Sequence, residues 1–294
     1  MQRKWVIFAL LLGASTCLAQ SGNLSDWQKL VGKKECAAAK ALCTPFAASK
    51  DVAQQAEAQR CLAESELCGH AMMLVQPDNK GGTVQRDSFT PASVDGALAH
   101  VRLGLKAAPQ SLDLHRERLH ILEVAGRYGE LIKALEQSCL TYKGKDVPDA
   151  WLIFANDLAG IGRYETGLEF MKVLDRHYPE SPDVLGNVGA FELYLDKPAA
   201  AIPYLEKAAA LDPRDESDAW DLGSAYDATG KTPEADKWYQ KGLSLQTDPA
   251  QRRTSSCTYA QFVELKLKDR TRACKMEVEN CPDDKQTACA APKK

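Results

Sequence analysis

Ala219-Trp220-Asp221-Leu222-Gly223-Ser224-Ala225-Tyr226, followed by Gly230, Glu234-Ala235 and Trp238-Tyr239, is the stretch whose reading decides the fold. It is one copy of a pattern that recurs every 34 residues between Pro148 and Pro249. Laid in register as 148–181, 182–215 and 216–249, the copies place Trp151-Leu152-Ile153-Phe154-Ala155, Val188-Gly189 and Trp220-Asp221-Leu222-Gly223 on the same turn of a first helix. Gly162, Asp196 and Gly230 fall at the turn into a second helix, where Gly167, Ala201 and Ala235 recur as small residues. Pro179, Pro213 and a late Pro249 lie near the ends. A fixed period of this kind marks stacked units, none of which can bury its apolar face alone.

A degenerate unit precedes these three. Gly126-Arg127-Tyr128-Gly129-Glu130 echoes Gly162-Arg163-Tyr164-Glu165-Thr166 at a spacing of 36, so residues 112–147 are expected to form a related hairpin with two residues inserted in its exit turn. Before it, Ala97, Val101, Gly104 and Pro109 predict a lone second helix, with Thr90 as N-cap and Pro91 at the first helical position.

Arg3 and Lys4 precede the apolar run Trp5 to Leu12, and Cys17-Leu18-Ala19 offers small residues before Gln20, the layout of a cleaved secretory signal peptide over residues 1–19. The run is too short for a membrane-spanning helix, which needs about 20 apolar residues. The alternative is a lipid anchor on Cys17, although Ala14-Ser15-Thr16 lacks the expected leucine and has Thr where a smaller residue is usual. Loss of Arg3 and Lys4 from 37 basic residues leaves 35 against 40 acidic ones, a net charge of about −5. That balance argues against nucleic acid as a partner.

Nine cysteines follow the signal sequence. Cys36, Cys43, Cys61 and Cys68 lie before the repeats, Cys257, Cys274, Cys281 and Cys289 after them, and Cys139 stands alone. Partners seven apart on one helix lie two turns, about 10.5 Å, from each other, beyond the roughly 7 Å between Cα atoms that a disulfide tolerates. Across an antiparallel hairpin the residue numbers of facing positions have a constant sum. Cys36 with Cys68 and Cys43 with Cys61 share one sum, so a single register satisfies both bonds. Ser25-Asp26-Trp27-Gln28 reads as a capping box for the first helix, Pro45 helps to end it, and Asp51 with Gln54 can start the second. Val52 at the centre makes the loop slightly asymmetric, which leaves room for a register one turn away. In the C-terminal group, Cys281-Pro282 ends any helix. Cys274 with Cys281 through a turn and Cys257 with Cys289 is the first pairing, and the interlaced alternative fits nearly as well.

Six residues between paired cysteines are too many for a zinc site, and the sequence contains no Cys-x-x-Cys, so neither a metal nor a cofactor is expected. Cys139, beside Leu140 and near Leu135, reads as a buried free thiol, the alternative being a reactive or intermolecular one. Enzymatic signals are thin. His115 and His120 are separated by five positions, there is no His-Glu-x-x-His, no Gly-x-Ser-x-Gly elbow and no phosphate-cradling loop, and Asp283-Asp284 reads as solvated charge. Gly81-Gly82 sits in the polar segment Gln76–Ser88, which reads as a linker.

The Leu-Gly, Tyr, Gly, Ala and aromatic positions of the last unit resemble the tetratricopeptide repeat almost one for one, and the chain is identified as similar to secreted members of that family with added disulfide-rich ends. The resemblance implies an all-α solenoid of helical hairpins whose first helices line a concave groove that binds an extended peptide or a partner's helix. It maps the groove onto Asp113, Arg116 and His120, then Asp149 and Asn156, then Asn187, Ala190 and Tyr194, and lastly Trp220, Ser224 and Asp227. Among these, Arg116 is the one permanent cation, so the family's clamp for a C-terminal carboxylate lacks most of its charge. A peptide is expected to bind through backbone hydrogen bonds to Asn156 and Asn187 and aromatic contact with Tyr194 and Trp220, with weak dependence on salt. The two asparagines are equally readable as solvated helix residues.

The expected organisation is a signal peptide (1–19), a cysteine-pinned helical hairpin (20–75), a linker (76–91), repeats (degenerate 92–147, then 148–181, 182–215 and 216–249) and a cysteine-rich helical cap (250–294). The expected function is a non-catalytic adaptor in the periplasm or outside the cell that binds a protein or peptide partner. The alternatives are a structural component of an envelope or secretion assembly, contacting through the N-terminal hairpin or the convex face, and a thiol-disulfide carrier.

Overall fold

The computed structural model describes residues 23–68, 72–77, 83–144, 147, 149–281 and 289. The expected signal peptide and an acyl anchor on Cys17 lie outside the described residues. Helices α1 (Trp27–Gly32), α2 (Cys36–Cys43) and α3 (Val52–Leu67) come first, followed by strands β1 (Met72–Pro77) and β2 (Thr83–Ser88) and the long helix α4 (Pro91–Ala107). Antiparallel pairs follow: α5 (Leu112–Val124) with α6 (Tyr128–Thr141), α7 (Asp149–Gly160) with α8 (Tyr164–His177), α9 (Pro182–Tyr194) with α10 (Pro198–Leu211), and α11 (Glu216–Ala228) with α12 (Thr232–Leu245). Helices α13 (Pro249–Leu265) and α14 (Arg270–Asn280) close the stack.

The first helices α5, α9 and α11 each start at a side-chain cap. Ser111 accepts the Leu114 N–H, Ser181 accepts the Val184 N–H with Pro182 just inside, and Asp215 accepts the Asp218 N–H at 2.9 Å. A cap of this kind contributes about 1 kcal/mol. The turns between paired helices share one geometry. Gly162 and Gly230 adopt φ of 70° and 77°, and Asp196 takes the same left-handed conformation at 56°. The Arg163 N–H then donates to Leu158 O at 2.8 Å and the Gly162 N–H to Ala159 O at 3.0 Å, which satisfies the last carbonyls of α7.

Large side chains fill the space between units. Trp151, Phe154, Phe170, Met171, Leu174, Val188 and Phe191 form one buried cluster, and Leu205, Leu222, Tyr226, Tyr239, Tyr259 and Val263 a second that runs into α13. Gly167 on α8 lies so close to the Phe191 ring that a Cβ there would overlap it. Gly189 meets Leu205 and Gly223 meets Tyr239 in the same way.

The disulfides of the N-terminal hairpin join Cys36 to Cys68 and Cys43 to Cys61, with Cα separations of 5.5 and 6.2 Å and no shift of register. The first arm of that hairpin differs from expectation. It is two helices, α1 and α2, broken after Gly32 where Lys34 takes φ of 61°. The capping box does not form: Asn23 accepts the Ser25 N–H instead, and Asp26 pairs with Lys29 at 2.9 Å. Both Cys36 and Cys43 follow the break, so the disulfide register depends on α2 alone.

Residues read as linker carry the antiparallel pair β1 and β2, in register from Met72 opposite Ser88 to Pro77 opposite Thr83. The hairpin returns the chain so that α3 packs along α4. Helix α4 is therefore not alone: Ala56, Ala63 and Leu67 of α3 share a buried cluster with Val94, Ala97 and Val101 of α4 and with Leu114 and Ile121 of α5.

At the C-terminus the disulfides are Cys257–Cys281 and Cys274–Cys289, with Cα separations of 5.3 and 4.7 Å. This is the interlaced pairing, and it replaces the Cys274–Cys281 and Cys257–Cys289 pairing placed first from sequence. The reason is that α14 runs unbroken to Asn280, with Cys281 as its C-cap. Cys274 and Cys281 are thus two turns apart on one helix, the separation that also keeps Cys36 from Cys43. Cys139 is a buried free thiol, its pKa pushed up to about 12 by burial first and then by Glu136. A thiol so held is a poor nucleophile at neutral pH.

Two outcomes are expected. Non-reducing peptide mapping should recover Cys257–Cys281 and Cys274–Cys289 linkages, since tryptic cleavage at Lys275 and Lys285 separates these cysteines. Gly167→Ala should lower the free energy of unfolding by roughly 1–3 kcal/mol in a denaturant titration, because the added methyl cannot fit against Phe191. Gly129→Ala, open to solvent on α6, is the control and should be neutral or slightly stabilising.

Candidate functional site

Helices α7, α9 and α11 lie side by side, and between them opens a cavity of about 310 Å³. Asn156 of α7 and Asn187, Ala190 and Tyr194 of α9 line it, so three of the residues expected to bind share one space. The Asn187 Nδ2 donates to the Asp183 carbonyl at 2.8 Å, which leaves its Oδ1 as an acceptor. Tyr194 is 55 % exposed although its ring stacks on Tyr164 at 5.1 Å and meets Phe191 edge-on at 5.9 Å. The phenol is thus held in place while one face stays open.

The remaining walls are acidic. Asp183, Asp212, Asp215, Asp218 and Asp221 line the cavity, and no lysine or arginine does so. Four of these belong to the stretch from Asp212 to Asp221, where Asp215 is the N-cap of α11 and Asp218 and Asp221 follow at helical spacing on one face. Asp218 is 7 % exposed. Its carboxylate rests against the bare Cα of Gly186 on α9, where a Cβ would overlap it. Burial, and then the surrounding carboxylates of Asp215, Asp221, Asp183 and Asp212, push its pKa up to about 7. Burial and Asp215 push Asp221 up to about 6, and Asp183 is raised for similar reasons.

The other expected groove residues are engaged elsewhere. Trp220 is half-buried, its ring 4.9 Å from Tyr239 between α11 and α12. Ser224 donates to the Trp220 carbonyl at 3.2 Å, and Tyr239 Oη donates to Ser224 Oγ at 3.3 Å. Asp227 pairs with Lys266 at 3.0 Å, tying α11 to the end of α13. Arg116 and His120 lie on α5, Arg116 paired to Asp113 at 3.6 Å and His120 to Glu123 at 3.8 Å, an interaction that raises the imidazole pKa. The sequence analysis assigned these aspartates no role in the groove. The signal that could have found them is five acids within ten residues, from Asp212 to Asp221. Five carboxylates, rather than a single cation, line this part of the groove.

A larger cavity of about 700 Å³ lies between α4, α5 and α6. Its imidazole, His115, is occupied by Ser138 Oγ and the Pro109 carbonyl at 2.9 Å each, and burial lowers its pKa. It acts as a core hydrogen-bonding residue that ties α5 to α6. No grouping of His, Cys, Asp or Glu among the described residues could hold a metal ion, and no described helix is long and apolar enough to cross a membrane.

Stacked helical hairpins with a cavity along their first helices define an α-solenoid of the repeat-protein class. The family model for the tetratricopeptide repeat matches residues 220–249, so the last repeat unit is similar to that family. Among solved structures it is similar to the C-terminal part of a repeat-containing protein from Cytophaga hutchinsonii, with a TM-score of 0.56 at 13 % identity, covering 92 % of this chain and all 100 % of that one. It also matches YrrB, described as a repeat protein with an unusual peptide-binding site, with a TM-score of 0.47 at 16 % identity, covering 63 % and 92 % of the two chains. PilF of Pseudomonas aeruginosa gives a TM-score of 0.43 at 18 % identity, covering 64 % and 83 %. No curated protein sequence matches the chain.

The raised pKa of Asp218 has a consequence for stability. A carboxyl whose folded pKa lies above its unfolded value of about 4 favours folding below that value and opposes it increasingly as pH rises through about 7. Asp218→Asn removes this opposition. Its melting temperature should exceed that of the natural chain at pH 8, with the gain shrinking toward zero near pH 4.

Proposed function

We propose that the protein is a non-catalytic adaptor outside the cytoplasm whose repeat groove holds an extended segment of a partner protein. The observation that carries this reading is the cavity itself, which gathers Asn156, Asn187 and Tyr194 from neighbouring units into one lining. Amides spaced along parallel helices can match the backbone of an extended chain, and an exposed, stacked phenol offers a flat anchor at little cost in side-chain entropy. The four disulfides and the signal-like first residues support an oxidising compartment. The larger cavity has its imidazole committed to core hydrogen bonds, which favours binding over chemistry.

The test is site-specific photo-crosslinking in the native host. A photoreactive amino acid in place of Ile153, exposed one turn from Asn156, should trap a polypeptide, and the same probe in place of the exposed Lys237 on α12 should not. Tyr194→Ala should weaken that partner's binding by on the order of 1–3 kcal/mol. Trapping from position 237 alone would move the contact to the second helices and support the assembly-component reading instead.

A further inference from the structure

We propose that the cavity between α9 and α11 is a receptor for a cationic side chain, so that the segment held in the groove is lysine- or arginine-bearing; this rests on the groove being the binding face. Two independent observations carry it. The first is charge: the lining has five aspartates, the Asn187 Oδ1 acceptor and no cation. The second is Asp218, more than nine-tenths buried, whose carboxylate has no hydrogen-bond or ion-pair partner among the described residues while its main-chain N–H is taken by Asp215.

Three other buried carboxylates face a cation or an imidazole, although one Glu117 oxygen has no hydrogen-bond partner. Glu192 pairs with Lys172 at 2.9 Å, Glu123 faces His120 at 3.8 Å, and Glu117 faces Arg60 at 3.8 Å. Asp218 departs from that pattern, and it does so on the wall of a cavity. Taking a carboxylate out of water without a partner is unfavourable, and a donor brought by a ligand removes the deficit. Gly186 holds the space open for that carboxylate, since any Cβ at this position would displace it.

The chemistry of the donor follows from the walls. The aspartates lack the grouping needed to hold a metal ion. An ammonium or guanidinium group, whose several N–H donors spread over separate acceptors, matches an acceptor-lined cavity of about 310 Å³. The open face of Tyr194 adds attraction for a cation, because its ring carries negative charge density on that face. A free polyamine shares this chemistry, but the cavity runs on toward Asn156 on the neighbouring unit, which suits a backbone continuing along the groove.

The test uses the full chain and three labelled decapeptides of one design, with lysine, glutamine or glutamate alternating with alanine, followed by fluorescence anisotropy. The lysine peptide should bind most tightly, lose affinity as salt rises, and bind Asp218→Asn more weakly by roughly tenfold to a hundredfold, the range for a charge-assisted hydrogen bond. A thermal melt shows that Asp218→Asn is folded. Asp183→Asn provides a second folded variant and should weaken binding less, because Asp183 is exposed. Equal binding of the glutamine peptide, preference for the glutamate peptide, or an unchanged affinity in Asp218→Asn would overturn the proposal. So would binding of spermidine or calcium with the same dependence on Asp218 while the lysine peptide fails to bind. If the probe at position 153 still traps a partner in any of these cases, the groove reading stands and the charge inference alone falls.

Discussion

Close approach of helices at residues with little or no side chain is the contact on which the rest of this structure depends. Phe191 packs onto Gly167, Leu205 onto Gly189 and Tyr239 onto Gly223. Ala201 and Ala235, both fully buried, play the same part in the later units. Each contact lets one large apolar side chain reach backbone, and dense packing of this kind tolerates little change of volume. Two of these contacts close a helix pair within a unit, and the first joins α8 to α9 of the next unit. The first helices α7, α9 and α11 are thereby set side by side. The Asp218 pocket against Gly186 repeats the same device with a polar side chain in place of an apolar one.

The ends of the stack solve a different problem. A solenoid exposes an apolar face at each terminus, and a capping element must cover it. At the N-terminus α3 does so directly, through the apolar cluster it shares with α4 and α5, while the two disulfides hold α2 against α3. Trp27 adds a lock, its indole N–H donating to Glu57 at 2.6 Å beneath the guanidinium of Arg60. At the C-terminus Tyr259 and Phe262 continue the aromatic packing of Tyr239, and Arg272 of α14 reaches Asp236 of α12 at 3.0 Å. The cysteines therefore secure elements that also have apolar contacts of their own. That explains why an Ala-rich segment with few large side chains remains part of the folded body.

Periodicity made the solenoid legible, because small residues and turn glycines at fixed spacing admit few other structures. Constant facing sums did the same for Cys36, Cys43, Cys61 and Cys68. The break at Gly32 was hidden because Trp27 to Cys43 carries a helical composition throughout, and the left-handed Lys34 has no strong local signature. The strands beside Gly81-Gly82 were hidden because polar turn residues mark a hairpin loop and a linker alike. In the site, Asn156, Asn187 and Tyr194 could be placed because the repeat dictates which positions of a first helix share a face. Trp220 could not, since its indole turns toward the partner helix α12 to fill space that Gly242 leaves open, where a Cβ would come within 3.2 Å of the ring. The aspartates escaped notice because their convergence is a property of adjacent units, from Asp183 on one to Asp221 on the next, whereas each sequence position was weighed inside its own unit.

A repeat protein is also suited to carrying a costly site. In a stack with contacts mainly between neighbours, stability is approximately a sum of unit and interface contributions, so an unfavourable patch at one interface is offset by the packing of the adjoining ones. The α9–α11 interface gathers like charges and buries one of them, and next to it Trp151, Phe170 and Phe191 are fully or almost fully buried. Lysine or arginine on a neighbouring unit would stabilise the fold and fill the cavity at once. The chain instead pairs Lys207 with the Pro179 carbonyl at 2.7 Å and Lys172 with Glu192 on other surfaces. Keeping cations away from this wall leaves its carboxylates free to meet a charge that arrives from outside, which is how a stability cost inside a fold becomes selectivity in binding.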